Sequence, residues 1–264
     1  MKPFERSPTA SPMQSPIQSP MQSPMQSPMQ SPVVGGPTSL TARPAARTPL
    51  NRSASQSISS PTANRLGLYL RELQHCHRSG QATIRSSFLA RRLGLSDSQI
   101  RRDLAQLGQL GKRGVGYDVT ELLQHLRRTL GTDGRWTTVL IGLGNLGSAL
   151  VGYRGFREQG FNLVAIYEAD SSKSGQTFGS IPVLPISELE ATLPAMGVDL
   201  AILAVPTEAA PSVANRLSAL GVQGILNFAP VSLNPQPQTA VVDVDLAIEL
   251  QRLAFAVVNR QRSG

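Results

Sequence analysis

Three glycines at a fixed spacing are the residues best suited to bind a small molecule. Gly142, Gly144 and Gly147 form the pattern G-x-G-x-x-G in the stretch VLIGLGNLGSAL, where an apolar strand runs into the start of a helix. In this pattern the first glycine permits a tight turn, the second lets the backbone approach a pyrophosphate, and the third lets helix and strand pack closely. The stretch therefore predicts a dinucleotide-binding turn whose free N–H groups face the phosphates. The expected phosphate-binding residues are Gly142, Leu143, Gly144, Asn145, Leu146 and Gly147.

An acidic residue follows at the distance that such a turn requires. Glu168 ends the next apolar stretch, FNLVAIYEAD, 21 residues after Gly147. An acid at this position binds the ribose hydroxyls of the adenosine half, and its charge repels a 2′-phosphate. Glu168 therefore favours NAD(H) over NADP(H), although Lys173 and the neighbouring serines weaken that preference.

The groups that would make this site an enzyme are not where a reaction needs them. A dehydrogenase uses a proton donor or acceptor beside the nicotinamide, commonly His, Lys or Tyr. The only lysine after the glycine turn is Lys173, near the adenosine end, and Tyr153 and Tyr167 flank early elements. The histidines all precede the turn: His75, His77 and His125. We therefore expect NADH or NAD⁺ to be bound as a ligand and not turned over, with no catalytic residue and no metal site.

The charge of the chain is concentrated in its middle. The formal net charge is +8, and residues 61–131 hold twelve Lys and Arg against five acids, whereas residues 132–264 hold eight against eleven. A basic segment of this kind indicates a polyanionic partner for that segment alone.

The basic segment has the pattern of a helix-turn-helix with a wing. A helix over 64–80 has Leu66, Leu70 and Leu73 at helical spacing; the next helix runs through Leu93, and a turn precedes a helix that Ser96 caps. The helix-turn-helix spans about 68–107, and the glycine-rich stretch 111–120 predicts a β-wing.

The second helix of this motif would face DNA. Its core stripe is Ile100, Leu104 and Leu107, so its polar side chains lie on the opposite face. The expected DNA-binding residues are Ser96, Ser98, Gln99, Arg101, Arg102, Lys112 and Arg113, with Gln99 a candidate for base edges.

Strand and helix patterns alternate over residues 135–245. Five apolar strands are expected, beginning near positions 136, 161, 198, 222 and 239. This alternation predicts an α/β domain of the Rossmann type with a parallel sheet. The last helix, 246–261, is unusually apolar, so its surface needs a partner beyond its own domain.

The remaining expectations concern the ends of the chain and its surroundings. Residues 1–60 are of low complexity, with a Ser-Pro-Met-Gln unit that recurs every four residues from Ser11 to Ser31 and has Ile in place of Met once, which predicts a disordered tail. The lone Cys76 fits a reducing cytoplasm, and we expect neither a membrane span nor a signal peptide.

Several motifs in this order resemble those of Rex, a family of bacterial redox-sensing transcriptional repressors. They are RLGLYLREL, QIRRDLAQLGQLGKRGVGYDV, IGLGNLGSAL, AVPTEAA, GILNFAP and VDLAIEL, and the resemblance covers about residues 61–262. It implies a winged-helix DNA-binding domain over 61–131, a nucleotide-binding domain over 132–245, and a C-terminal helix over 246–264 that is exchanged between two protomers. It also implies a homodimer that binds a palindromic operator and releases it when NADH binds.

The resemblance further assigns roles to single residues. Ala204 and the residues Val205, Pro206, Asn227, Phe228 and Pro230 would form the loops around the nicotinamide. Arg71 and Asp245 would pair across protomers in one state, joined by the residue at the position of Gln106, where the family usually has an aromatic residue or Arg. The glutamine therefore predicts a weaker pair and a shallower response to NADH.

Two other functions remain compatible with the residues. One is a NAD-dependent oxidoreductase with a basic N-terminal arm, and the other is a DNA-binding protein whose Rossmann fold serves only dimerisation. The effect of NADH on DNA binding distinguishes all three.

Overall fold

A computed structural model describes residues 58–112 and 114–262. The expected tail, apart from its last three residues, and the wing residue Arg113 lie outside the described residues.

The first helix begins one turn earlier than the sequence pattern predicted. Helix α1 spans Ser60–Arg78, not 64–80, and the Ser59 hydroxyl accepts a hydrogen bond from the Thr62 N–H. Pro61 lies in the first turn, where backbone N–H groups have no partner within the helix, so the N–H that proline lacks costs no helical hydrogen bond. Ile58 packs against the core of the same domain. The helix therefore begins at Ser60, the last residue that the sequence assigned to the tail, and the capping residue Ser59 also belongs to that predicted tail.

The next elements form the predicted helix-turn-helix. Strand β1 (Thr83–Ile84) precedes α2 (Ser86–Leu93) and α3 (Asp97–Ala105). Gly94 closes α2 with a positive φ of 65°, a conformation that costs glycine little. Ser96 caps α3 by accepting the Gln99 N–H at 3.2 Å, as the sequence predicted.

A small sheet and one more helix complete this part of the chain. Strands β2 (Gly111–Lys112) and β3 (Gly116–Asp118) pair antiparallel and form the wing, and the sheet has the order β1-β3-β2. Helix α4 spans Val119–Thr129, capped by Asp118. The core between these elements is built mostly from leucines of α1, α3 and α4, with Tyr69 at its centre.

The second part of the chain is a seven-stranded sheet flanked by helices. Its strands are β4 (Trp136–Ile141), β5 (Phe161–Glu168), β6 (Thr177–Phe178), β7 (Ile181–Pro185), β8 (Leu200–Leu203), β9 (Gly224–Asn227) and β10 (Ala240–Asp243). Its helices are α5 (Asn145–Val151), α6 (Arg154–Glu158), α7 (Leu189–Met196), α8 (Ala210–Ala219) and α9 (Leu246–Arg262).

The strand order places a crevice at the end of β4. The order is β10-β9-β8-β4-β5-β7-β6, so the chain leaves β4 toward β5 on one side and returns to β8 on the other. This reversal is the point where open parallel sheets bind ligands, outside the carboxyl ends of the strands. Apolar side chains of β4, β5 and β8 fill the cores on the two faces of the sheet.

The expectation of five parallel strands was wrong in number and in one direction. The structure adds β7, which pairs parallel with β5, and β6, which pairs antiparallel with β7. Pro182 and Pro185 explain the error, because proline removes a ladder donor and argues against an interior strand. Here β7 pairs with β5 over only three residues, and Pro185 ends it.

The C-terminal helix has no buried residue within its own chain. Its exposed apolar side chains are Leu246, Ile248, Leu250, Leu253, Phe255, Val257 and Val258. A second apolar surface lies across β8, β9 and β10, where Phe156, Phe161 and Val242 are among the lining residues. Contiguous exposed apolar surface of this kind is typical of a protein–protein contact.

Candidate functional site

The glycine turn after β4 has the geometry that its sequence predicted. Gly142 has a φ of 95°, and its N–H donates to the Tyr167 carbonyl at 2.8 Å. A Cβ on Gly142 would collide with the Ala204 carbonyl oxygen, and one on Gly147 would collide with the Gly142 carbonyl oxygen. A Cβ on Gly144 would meet nothing within 4 Å, so open space lies in front of this residue. The turn therefore fits a pyrophosphate that approaches the backbone at Gly144.

Glu168 reaches back from the end of β5 to the glycine turn. Its carboxylate accepts hydrogen bonds from the backbone N–H groups of Leu143 (2.5 Å), Ala169 (2.7 Å) and Asp170 (2.9 Å). Burial raises the pKa of this carboxyl, but the three N–H donors and the charge of Lys173 outweigh burial, so its pKa lies below its usual value. The side chain is therefore a carboxylate at neutral pH, next to the turn that would hold the adenosine half.

Lys173 contacts the same residue of the glycine turn as Glu168 does. Its Nζ donates to the Leu143 carbonyl at 3.1 Å and lies 3.8 Å from the Asp170 carboxylate. Glu168 and Lys173 thus bind the N–H and the C=O of one residue in the turn. The sequence predicted that both side chains lie near the nucleotide, but not that they share Leu143.

The loops after β8 and β9 lie at the same edge of the sheet as the glycine turn. Val205 is half-buried and Pro206 is exposed. Phe228 is half-buried against the core that includes Leu140, and Pro230 is exposed. These residues therefore lie at the edge of the sheet where the family resemblance implies that the nicotinamide binds.

Asn227 differs from its neighbours because its side chain is fully buried. Its amide nitrogen donates to the Ala229 carbonyl (3.1 Å), the Val231 carbonyl (2.8 Å) and the Asp243 carboxylate (2.8 Å), and its oxygen accepts the Ala229 N–H. The amide thus holds the loop at 228–231 in shape and ties β9 to β10.

A basic groove lies in the winged-helix part between α2, α3 and the wing. Arg85, Arg101 and Lys112 are among its lining residues. Arg101 pairs with Asp97 at 2.8 Å, and Lys112 is exposed on β2. Arg85, the residue directly before α2, was not among the DNA-binding residues that the sequence predicted. The groove can accept the negatively charged backbone of a nucleic acid.

The polar side chains of α3 that were expected to bind DNA differ in how many hydrogen bonds they make within the protein. Ser98 is exposed, and its hydroxyl lies 3.1 Å from that of the capping residue Ser96. Arg102 is exposed and donates to the Gln99 side-chain oxygen at 3.0 Å. Gln99 also donates to the Asp103 carboxylate at 2.8 Å, so both ends of its amide are bonded within the protein.

Asp103 is the functional candidate that sequence analysis missed. Its side chain is 1% exposed, and Arg65 donates to it twice, at 2.7 and 2.8 Å, while the Tyr69 hydroxyl donates at 2.7 Å. One signal was present in the sequence, because Asp103 lies three residues after Ile100 and next to Leu104 on the core side of the helix. A carboxylate at such a position needs buried donors.

No hydrogen bond or ion pair joins the three coupling candidates to one another within the described protomer. Arg71 is exposed on α1, and Gln106 is exposed at the end of α3. Asp245 is half-buried and caps α9, since its carboxylate accepts the N–H groups of Ala247 and Ile248 at 2.8 and 3.3 Å.

A pair of glutamines provides a contact between the two parts that the sequence did not indicate. The amides of Gln74 on α1 and Gln159 after α6 exchange two hydrogen bonds, of 3.2 and 2.9 Å.

The described ranges, 58–112 and 114–262, contain neither a candidate metal site nor a candidate membrane-spanning helix. No cluster of three or more His, Cys, Asp or Glu side chains there is arranged to hold a metal ion. In the same ranges no helix combines the length and the apolar character that crossing a bilayer requires.

Known families match both parts of the chain. The family described as a CoA binding domain matches residues 133–231, and the one described as a DNA-binding protein N-terminus matches residues 57–105.

Solved structures of a repressor share the fold across both parts. The crystal structure of RSP in complex with β-NAD⁺ and operator DNA superimposes with a TM-score of 0.73 at 30% identity, covering 78% of this chain and 95% of RSP. The crystal structure of RSP described as a Rex-family repressor gives a TM-score of 0.71, at 30% identity over 78% of this chain and 96% of RSP.

Curated relatives agree over most of the chain. The redox-sensing transcriptional repressor Rex of Rhodopirellula baltica is 46% identical over 203 residues, which is 77% of this chain and 86% of the relative. Rex of Carboxydothermus hydrogenoformans is 44% identical over 200 residues, 76% of this chain and 96% of the relative. The chain therefore belongs to the Rex family of redox-sensing transcriptional repressors.

Proposed function

We propose that this chain is a DNA-binding transcriptional repressor that senses the NADH/NAD⁺ ratio. It binds operator DNA when NADH is low and releases the DNA when NADH binds. The observation that carries this proposal is the identity of 46% to a redox-sensing repressor over a length that includes both the winged helix and the glycine turn.

The crevice beyond β4 is the proposed NADH site. Gly142, Gly144 and Gly147 shape the turn for the pyrophosphate, and Glu168 supplies the acceptor for the adenosine ribose. The loops that carry Val205 and Phe228 would flank the nicotinamide. In support, the solved structures of RSP include complexes with β-NAD⁺ and with β-NADH.

The exposed side of α3, the wing and the groove between them form the proposed DNA site. The supporting features are the net positive charge of residues 61–131 and the presence of Arg85, Arg101 and Lys112 among the residues that line the groove. The contacts are proposed for Ser96, Ser98, Arg101, Arg102, Lys112 and Arg113, with Arg85 added from the groove.

We further propose that the protein binds NADH without oxidising it. The curated relatives are named as repressors, and the histidines of this chain all precede the glycine turn. Lys173, the lysine beyond the turn, is engaged with the Leu143 carbonyl at the adenosine end. A repressor of this kind acts in the cytoplasm, where genomic DNA and NADH are both found.

A homodimer is the proposed assembly. The exposed apolar side chains of α9 and the apolar surface across β8–β10 need a partner, and a second copy of the chain offers both at once. Two winged helices related by a two-fold axis would match a palindromic operator. The proposed units are the winged helix over 61–131, the nucleotide domain over 132–245, and the exchanged helix over 246–264.

One binding experiment tests the function and separates it from its alternatives. A palindromic duplex is selected by the full chain from a random-sequence pool, and its affinity is measured by fluorescence anisotropy with no ligand and with NADH, NAD⁺, NADPH or CoA. Among the four ligands, we expect only NADH to weaken operator binding strongly. An unchanged affinity with NADH bound would leave only a dimerisation role for the nucleotide fold, and failure to select any specific duplex would favour the oxidoreductase with a basic N-terminal arm. A response to CoA alone would replace the proposed ligand.

A further inference from the structure

A buried carboxylate lies on the inner side of the helix that would read DNA. Asp103 of α3 accepts two hydrogen bonds from the Arg65 guanidinium and one from the Tyr69 hydroxyl, and both donors lie on α1. Arg65 is itself held by the Thr62 hydroxyl at 3.1 Å. A two-point arginine–carboxylate contact fixes direction as well as distance, so Asp103 is held rigidly against α1.

The fourth donor to Asp103 is Gln99, one helical turn earlier on α3. The Gln99 amide nitrogen donates to the Asp103 Oδ1 at 2.8 Å. The opposite orientation of the amide would place its carbonyl oxygen against a carboxylate, which offers no donor. The charge of Asp103 therefore determines which way the Gln99 amide points, and its carbonyl oxygen faces outward.

That outward oxygen holds an exposed cation. Arg102 donates from Nη2 to the Gln99 Oε1 at 3.0 Å, while the arginine next to it, Arg101, pairs instead with Asp97 at 2.8 Å. A chain of contacts therefore runs from the buried Asp103 through Gln99 to the surface at Arg102. Arg101 is exposed on the same helix and takes no part in it.

We propose that Gln99 is a positioning residue that, anchored by Asp103, holds the Arg102 guanidinium in the orientation that contacts operator DNA. This inference rests on the proposed function, and it replaces the expectation that Gln99 reads base edges itself. Both ends of the Gln99 amide are already bonded within the protein, whereas the remaining guanidinium donors of Arg102 are available to a base or a phosphate. A guanidinium fixed before binding loses less side-chain freedom when the complex forms.

A double-mutant cycle tests the proposal on the selected palindromic duplex. The variants are Gln99→Ala, Arg102→Ala and the double variant, with Gln99→Met as a second change that keeps the volume and removes both hydrogen bonds. We expect Gln99→Ala and Gln99→Met to weaken operator binding by roughly threefold to tenfold, the range for ordering one long side chain. In the Arg102→Ala background the same changes should have almost no effect, because Gln99 acts through Arg102.

Arg101 provides the matched control, since it has the same charge and lies on the same helix but is bonded to Asp97. Combined with Arg101→Ala, the Gln99 changes should keep their full effect. Tyr69→Phe, which removes one anchor of Asp103, should weaken binding less than Gln99→Ala does and should have no effect beside Arg102→Ala. A cooperative thermal unfolding transition well above the assay temperature in the Gln99 variants excludes misfolding as the cause, even if loss of the bond to Asp103 lowers the transition somewhat.

Two results would overturn the proposal. One is a Gln99→Ala effect that persists in full beside Arg102→Ala, which would make Gln99 a direct reader of bases. The other is operator affinity unaltered by both Gln99 changes. If the unmodified chain selects no duplex at all, the proposed function fails instead, and that outcome is separate from both.

Discussion

Glu168 contributes both an acceptor and a charge to the proposed nucleotide site. It accepts the Leu143 N–H at 2.5 Å, and its lowered pKa keeps it ionised at neutral pH. A 2′-phosphate placed at this corner would face a carboxylate, and Lys173 offsets only part of that repulsion because its Nζ donates to the Leu143 carbonyl.

Replacing Glu168 should therefore reduce the preference for NADH over NADPH. We expect the unmodified chain to bind NADH more tightly than NADPH, and Glu168→Ala to narrow the ratio by about tenfold, or ~1.4 kcal/mol. Titration of the nucleotide fluorescence measures both affinities. Glu190→Ala is the control of equal charge, since Glu190 is engaged by Arg216 at 2.6 Å and not by the turn. Equal affinities for the two nucleotides in the unmodified chain would contradict the assignment.

Asp103 links the stability of the winged helix to pH. Burial raises the pKa of its carboxyl, but the hydrogen bonds from Arg65, Tyr69 and Gln99 outweigh burial and lower the pKa below its usual value. A carboxyl in the unfolded chain takes up a proton near pH 4, at about 3.9. The contribution of the folded carboxylate is therefore complete above that pH and is lost as the pH falls through the lower folded pKa.

Asp103→Asn should lower the stability at neutral pH by about 3 kcal/mol, the cost of removing one partner of a buried pair. The difference from the unmodified chain should begin to shrink below about pH 4 and should go on shrinking as the pH falls through the lowered folded pKa of Asp103. Urea denaturation followed at pH 7 and at a series of lower pH values checks both statements. A variant as stable as its parent at pH 7 would show that the buried pair contributes nothing.

Among the helices and strands, those with local signals could be predicted and those without could not. The Gly94 turn, the Ser96 cap and the glycine turn are each indicated by residue type and spacing, and the structure has all three. Strand β7 was missed because its prolines argue against a strand. The contact between Asp103 and Arg65 was missed because it joins residues 38 positions apart, which no local pattern reveals.

The start of α1 gives a test with two truncations that differ by three residues. Removing residues 1–57 should leave the unfolding temperature and NADH binding unchanged, since α1 keeps its cap. Removing residues 1–60 also deletes Ile58, which packs on the core, and the capping residue Ser59. We expect the longer truncation to lower the free energy of unfolding by about 1 kcal/mol through loss of the cap alone. Calorimetry of the two truncated chains compares them directly, and identical unfolding temperatures would show that the cap and Ile58 are dispensable.

The wing should contribute to affinity without contributing to sequence choice. Lys112 is exposed on β2 beside the groove, so a phosphate contact is its expected role. Lys112→Ala should weaken binding to all duplexes alike and should reduce the slope of log affinity against log salt by about one unit. Affinities at several salt concentrations, for the selected duplex and a scrambled one, provide the measurement. A slope equal to that of the parent would remove Lys112 from the interface.

Across the whole protein, Asp245 combines two roles that must be separated. It caps α9 through the N–H groups of Ala247 and Ile248, and it is the proposed partner of Arg71 across the dimer. Asparagine caps helices about as well as aspartate but carries no charge. The pair Asp245→Asn and Asp245→Ala therefore distinguishes the cap from the charge.

We expect both Asp245 variants to bind NADH and to lose most of its effect on operator affinity. Allosteric couplings typically amount to about 1–3 kcal/mol, which corresponds to roughly 5- to 150-fold. The ratio of operator affinities with and without NADH is the quantity to measure. Loss in the alanine variant alone would assign the coupling to the cap, and a full response in both variants would assign it to other contacts, among them the Gln74–Gln159 pair.

The exposed apolar side of α9 has a consequence for inheritance. In the proposed dimer, partner choice would reside in this helix and in the apolar surface across β8–β10, whereas the proposed DNA contacts lie far earlier in the chain. A subunit that is damaged in α3 or the wing but intact in α9 should still pair with a normal subunit. The mixed dimer would then have only one half that can bind its half-site of the operator. When a normal copy of the gene is also present, we expect such alleles to be dominant, and alleles that destroy α9 to be recessive because their products would not pair with the normal subunit.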